Sequence, residues 1–445
     1  MNDFTATLHA AMSAPRLPKK KDYWFPTAFS SWDDKEHDAI ERVIMSGRFT
    51  MGEEVAAFEK EFAAYHGKRH AIMVNSGSSA NLIIVAALQV FNKVWIGARA
   101  AVPAIAWSTT YAPFVQHHVA LSLFDVDDSW NGRIVQDWAK SKPDVVVGCS
   151  ILGSPANLQL LKEQADEVGA IFIEDNCESL GASRDANAVY QGRLCGTYGL
   201  MSSFSLFYSH QISAIEGGVI LTDDDECANM CRILRAHGWT RDVKPAESFS
   251  DEYSFVQFGY NVRPLEMHAA IAREQLKKLD LFIKARRTNL EHFKLVTGDL
   301  PVTHQKTAGW ASPFGLAFTV SPKAKVNRAA LAWALRAKGI DCRLPTGGSF
   351  HLHPYGATYA GARTPVADHI HNNGMFLGNA PYDITEKIDA AVKVMREELG
   401  YRGPVIGVTG NAVVSDVDKY LAHGADAVLT KPLNVTRLEE CLAGM

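Results

Sequence analysis

No apolar run in the chain approaches the ~18 residues a helix needs to span a membrane, so no membrane anchor is expected. Charge of one sign is not in excess either. Lys and Arg number 45, Asp and Glu 49, for a net charge of −4, so neither nucleic acid nor a membrane surface is an expected partner. There is no Cys-x-x-Cys and no Cys-x-Cys. The seven cysteines, Cys149, Cys177, Cys195, Cys227, Cys231, Cys342 and Cys441, are scattered. An odd count without paired spacing fits reduced thiols and a cytoplasmic setting. Cys227 and Cys231, four apart on an expected helix, read as small core residues. The N-terminal stretch lacks the basic-then-apolar order of a signal peptide. His351-x-His353 has no further ligand at a recognisable spacing, so no metal site is expected.

What is present is enough for a large core: 445 residues, 47% of them hydrophobic, expected to form two or more units. Residues 1–22 read as a mobile arm. Helices are expected from Trp32 to Gly47 and from Glu53 to His66, on apolar residues at helical spacing. Strand-like runs follow at 71–75, 100–110, 120–127, 144–152 and 170–176, with a helix over 157–168. This alternation predicts an α/β fold with a mostly parallel sheet covered on both faces. Ligands on such sheets collect at the carboxyl ends of strands. A long amphipathic helix is expected after FGYNVRP, with Pro264 at its first position. From about Asn289 the pattern becomes a small α+β unit: strands at 314–322 and 340–345, helices at 327–339 and 384–399. The expected units are therefore 23–285, 286–399 and a remainder, 400–445.

Three stretches carry chemistry. Ser76-Gly77-Ser78-Ser79-Ala80-Asn81 feeds a strand into a helix, whose N-terminal N–H groups either hold a phosphate or are simply capped by Ser78. Asp175 ends the apolar run AIFI; a carboxylate there needs a cation or several donors, or else caps the next turn. Around 202–220, SSFSLFYSHQISAIEGGVI puts Ser203 and Ser205 on one face of a strand, breaks at Tyr208-Ser209, presents His210, and returns through Glu216-Gly217-Gly218. The glycines permit a close backbone approach to something bound there.

With GSSAN, the Trp107 loop, EDNCES, SFSLFYSH, EGG and GYN in this order, residues 23–399 resemble the sugar aminotransferases that use pyridoxal phosphate on an aspartate-aminotransferase-like (type I) fold. In that family a lysine at the His210 position holds the cofactor as a Schiff base, which histidine cannot do. The resemblance is to the subgroup with this replacement, the 3-dehydratases of nucleotide-linked 4-keto-6-deoxy sugars. It implies the following roles. Gly77 and Ser78 hold the cofactor phosphate. Trp107 lies against its ring, and Asp175 pairs with its pyridine nitrogen. Glu178, a Gln in most of the aminotransferases, and Ser205 complete the set. Asn261 reaches the phosphate in the other subunit of a homodimer with a shared active site.

The implied reaction has two halves. L-glutamate converts pyridoxal phosphate to pyridoxamine phosphate. His210, an imidazole titrating near the ordinary pH of ~6.5, then takes a proton so that the sugar's C3 hydroxyl leaves, and ammonia is released. RAHGWTRD (235–242) resembles the GDP-sugar type, which acts on GDP-4-keto-6-deoxymannose on the way to colitose, an O-antigen sugar. The CDP-sugar type carries an iron–sulfur cluster on cysteines that include a Cys-x-Cys, absent here. Arg343 either contacts the nucleotide diphosphate or is a surface arginine. Two other readings remain: a nucleotide-sugar aminotransferase, which needs a lysine near 210, and an inactive binding or regulatory protein. Residues 404–442 resemble the second half of a response-regulator receiver domain. The half with the phosphoacceptor is missing, so no phosphorelay role is expected.

Overall fold

The computed structural model describes residues 23–133, 138–185, 192–244, 247–356, 359, 363–400, 406–409 and 427–443. The expected arm at 1–22 lies outside them.

The first helix, α1 (Asp34–Ser46), begins with a reciprocal cap between Asp33 and Glu36 and ends where Gly47 turns left-handed. The second, α2 (Glu53–His66), has only Gly52 before it and no cap of its own. Its free N–H groups are taken instead by Glu266, which accepts from Gly52, Glu54 and Val55 at 2.7, 2.9 and 3.0 Å. Glu266 is the first residue of α7 (Glu266–Val296). The capping contact fixes where that helix starts, two residues beyond the expected Pro264.

Seven strands form the main sheet: β1 (His70–Val74), β2 (Arg99–Pro103), β3 (Ala120–Phe124), β4 (Val145–Cys149), β5 (Ile171–Asp175), β6 (Ser202–Ser205) and β7 (Gly218–Thr222). Their order is β1-β7-β6-β5-β4-β2-β3. Only β7 runs against the rest, paired antiparallel with both β1 and β6. β1, β4 and β7 read nearly continuously apolar because both faces are covered, as a parallel sheet requires. Helices α3 (Gly77–Val90), α4 (Ser108–Gln116), α5 (Leu158–Glu167) and α6 (Asp225–Arg235) flank it. Two local expectations change. The strand expected over 144–152 stops at Cys149, and Ile151–Gly153 is a 3-10 turn with Leu152 left-handed (φ 52°). The run 100–110 ends as strand at Pro103, and Ser108 opens α4, which accommodates Pro113.

A second sheet has the order β10-β11-β9-β8, all antiparallel: β8 (Val302–His304), β9 (Gly315–Val320), β10 (Cys342–Arg343) and β11 (Gly374–Gly378). It packs with α8 (Arg328–Ala337) and α10 (Thr385–Leu399), while α9 (Pro365–Asn373) leads into β11. Helix α7 joins the two cores. Leu279 and Ile283 pack with the large sheet, Leu290 and Phe293 with the small one. In the C-terminal stretch β12 (Ile406–Thr409) pairs in parallel with β13 (Ala427–Thr430), ahead of α11 (Val435–Ala443). Among the described residues no helix is long and apolar enough to cross a membrane.

His66 is a titratable group in the core. It is buried between Phe62 and Phe204, ring centroids at 4.5 and 4.9 Å, and burial pushes its pKa down to about 4. The unfolded chain therefore takes up a proton at a higher pH than the fold does, and stability falls as pH drops from about 6.5 toward 4. A His66→Gln variant will lose part of that slope, on the order of 3 kcal/mol at most, read from urea midpoints across this pH window.

Candidate active site

The carboxyl ends of β2, β4, β5 and β6 and the turn after β1 converge on a cavity of about 920 Å³, closed on its other side by Phe314, Arg343, Leu344, Thr346 and Phe376 of the smaller unit. Most of the sequence-derived site residues line it: Gly77, Ser78, Trp107, Asp175, Glu178, Ser205, His210 and Arg343. Asn261 does not. It is exposed on the segment before α7, bridged to Ala236, with its Oδ1 accepting from Arg263 Nε at 3.2 Å.

The turn after β1 is capped by Ser76, whose Oγ accepts from Ser79 N at 3.1 Å. Ser78 is thus not the cap; its hydroxyl meets Thr109 Oγ1 at 2.8 Å across the cavity wall. The N-terminus of α3 therefore keeps donors and a positive dipole end facing the cavity, a setting that suits an anion. The backbone must come close here. A Cβ on Gly77 would lie 2.7 Å from Cys177 Sγ and 2.8 Å from Ser205 Cβ, and one on Gly218 would run into the Ser76 carbonyl.

Two consecutive carboxylates on β5 point to opposite faces. Glu174 is saturated by the N–H groups of Gly196, Tyr198 and Gly199, each at 2.6 Å, and by Asn176 Nδ2. Asp175 faces the cavity. Its Oδ2 accepts from Asn81 Nδ2 at 2.8 Å and Thr110 Oγ1 at 2.7 Å, and its Oδ1 from Cys177 N at 3.1 Å. No lysine or arginine among the described residues pairs with it, so a buried carboxylate with spare acceptor capacity borders the cavity. Trp107, at the N-terminus of α4, exposes 56% of its surface, an aromatic face open to the cavity rather than a core residue.

His210 presents Nδ1 without a hydrogen-bond partner although the atom is buried. Phe207 and Phe314 lie at 5.6 and 5.1 Å from its ring. Burial lowers its pKa to about 4, against the opposing pull of the Asp175 charge. The expectation of titration near the ordinary histidine value is thereby corrected: desolvation of the imidazolium outweighs the nearby carboxylate. Glu178 shifts the other way. Burial raises it to about 7, although the Leu152 N–H and the Thr346 hydroxyl, each at 2.8 Å, favour its charged form.

Asn81, Thr110 and Thr346 escaped sequence reasoning as functional residues. Asn81 was visible in the GSSAN turn and Thr110 beside Trp107, but their common target, Asp175, lies on a distant strand. His353, on the same cavity wall, hydrogen-bonds the Gly347 carbonyl and stacks on Tyr355. The described residues contain no group of three or more His, Cys, Asp or Glu that could hold a metal ion.

Residues 30–396 match the model of the DegT/DnrJ/EryC1/StrS aminotransferase family. GDP-4-keto-6-deoxy-D-mannose 3-dehydratase of Yersinia pseudotuberculosis is 39% identical, over 84% of this chain and 98% of the relative. The solved structure of the Escherichia coli GDP-4-keto-6-deoxy-D-mannose-3-dehydratase with bound hydrated PLP superposes with a TM-score of 0.78, at 36% identity, over 84% of this chain and 100% of that one. A GDP-4-keto-6-deoxymannose-3-dehydratase with a trapped PLP-glutamate geminal diamine gives 0.76 at 36% identity, over 83% of this chain and 99% of that one.

The Thr346 contact makes a measurable prediction. In Thr346→Val the Glu178 carboxyl loses a donor that favours its charged form, so its protonated carbonyl band will persist to higher pH. Isotope-edited infrared titration checks this against the wild type.

Proposed function

The chain belongs to the DegT/DnrJ/EryC1/StrS aminotransferase family, and from that premise we propose that it is a pyridoxal-phosphate-dependent 3-dehydratase of GDP-4-keto-6-deoxymannose. L-glutamate is the amino donor and ammonia is released. The observation that carries this reading is His210. It stands on the cavity wall in the motif position of the family's anchoring lysine, and no lysine is among the described residues that line the cavity.

The residues present fit the cofactor. Asp175 offers an acceptor with no cation of its own, suited to a protonated pyridine nitrogen. Gly77 and Ser78 offer the phosphate a helix N-terminus, and Trp107 offers the ring an apolar face. When bound, pyridoxal phosphate supplies an electron sink for charge developing at an attached carbon. Asp175 would pair with the ring nitrogen and favour its protonated form. His210 is neutral at physiological pH; its imidazole would take the proton lost from the carbon attached to the cofactor and return it to the departing C3 hydroxyl, which leaves as water. The Phe207 and Phe314 rings keep water from the imidazole. Glu178, still partly protonated near neutrality, has a proton to donate on the same wall. Arg343, exposed at the cavity mouth, suits the diphosphate.

A homodimer agrees with the surface. Phe249 and Phe258 are 88% and 100% exposed, with Tyr253, Phe255 and Val256 beside them in sequence. An apolar run of this kind marks an interaction surface. Asn261 lies on the same segment, consistent with a role in the partner's site. The seven free cysteines agree with a cytoplasmic setting. An aminotransferase would need a cavity lysine, and an inactive protein would have no use for the poised Asp175 and Glu178.

Protein supplied with pyridoxal phosphate will show a free-aldehyde band that glutamate converts to the pyridoxamine form. Borohydride will fix no cofactor to the chain, and GDP-4-keto-6-deoxymannose will release ammonia. A cofactor locked onto a lysine would sink the assignment of His210. His210→Asn will abolish dehydration while leaving cofactor affinity nearly unchanged in absorbance titrations. Phe258→Glu will shift sedimentation toward the monomer and weaken cofactor retention in parallel.

A further inference from the structure

A buried cation stands behind the histidine loop. Arg286, on α7 between the residues that enter the two cores, is 3% exposed. Its Nη1 donates to the Gln211 carbonyl at 2.8 Å, its Nη2 to the His210 carbonyl at 3.3 Å and its Nε to the Asn379 carbonyl at 3.3 Å. Among the described residues no carboxylate pairs with it, and burial lowers its pKa to about 9. A guanidinium kept out of water without a counter-ion is expensive. An apolar side chain of similar volume would fill the space without that cost. What the guanidinium alone provides is a rigid fork of donors for three carbonyls.

Those carbonyls come from two places: the turn carrying His210, and the residue after β11. Asn379 returns the contact, donating to the Arg286 carbonyl at 2.9 Å and to the Pro313 carbonyl at 3.1 Å, and Asn289 donates to it at 3.1 Å. On the other flank Gln211 Nε2 donates to the carbonyls of Glu178 and Ser312. The peptide groups at 210 and 211 are therefore clamped from both sides. The imidazole is not clamped in this way, since its Nδ1 has no partner. Its place in the cavity is set by its main chain together with the Phe207 and Phe314 rings and the Ser205 backbone.

We infer that Arg286 is a positioning residue for His210: its fork fixes the 210–211 peptides so that the imidazole keeps its place on the cavity wall. Its charge also disfavours protonation of the ring, against the opposite pull of Asp175 on β5. Cys177 and Glu178 from the turn after β5, and Glu216 from the return into β7, line the same cavity. The inference rests on reading His210 as the proton carrier.

The test uses the full chain with Arg286→Met and Arg286→Lys. Histidine resonances are titrated by NMR in cofactor-free protein, with His210 assigned from the signal missing in His210→Asn. In the Met variant the His210 midpoint will move to higher pH. In the Lys variant, which keeps the charge and loses the fork, kcat will fall roughly 10- to 100-fold while KM for the nucleotide sugar changes less than about threefold. An unmoved midpoint in the Met variant, or full kcat in a folded Lys variant, overturns the proposal. Failure of both variants to fold assigns Arg286 to the fold alone and overturns it too. If the wild type does not turn the sugar over, the dehydratase reading fails, and the cofactor-free titration still reports whether Arg286 and His210 are coupled.

Discussion

Asp175 ends a buried strand with its carboxylate out of water and only neutral donors around it. Each donor comes from a different part of the chain: Asn81 from the helix after β1, Thr110 from the helix after β2, and the Cys177 N–H from the turn after β5. Satisfying this carboxylate requires all of these ends to meet at one point, which forms the cavity floor. Its neighbour Glu174 shows the alternative. With four donors it has little acceptor capacity left, and it serves the fold. The difference between a structural and a chemical carboxylate on adjacent residues is the capacity left over.

The second feature of the site is an inversion of titration order. In water a carboxylic acid loses its proton before an imidazolium does. Here His210 is lowered to about 4 and Glu178 raised to about 7, both by burial. Between those values the imidazole is a neutral base and the carboxyl a neutral acid on the walls of one cavity. Pairs of groups pushed apart in this way mark acid–base roles. The bridge from Glu178 to Thr346 places half of this pair under the control of the smaller unit.

Much of this was legible in the sequence, because the motifs carry their own local structure. GSSAN, EDNCES and the stretch around His210 lie at strand ends or helix starts, where apolar periodicity and small residues already pointed. The losses have physical causes. β11 (GMFLG) is a short apolar segment between glycines, without alternation, and only its burial between β9 and β10 makes it a strand. Leu152 is left-handed for tertiary reasons that no residue nearby announces. The Thr346 hydroxyl reaches Glu178 only because the loop after β10 folds over the main sheet. Asn261, identified by its motif alone, stands outside this chain's own cavity.

The antiparallel strand β7 has a bearing on how the chain reaches this state. β1 is made early along the chain, yet its hydrogen-bonding partner is β7, and the Gly218 contact with the Ser76 carbonyl forms only when β7 is in place. Every strand in between must be laid down before that gap in the sheet closes. Pairings so distant in sequence close large loops and slow the search. The turn after β1 thus acquires its final shape only once β7 has paired with β1. A chain truncated before β7 lacks the strand that joins β1 to β6, and with it the Gly218 neighbour of the turn after β1.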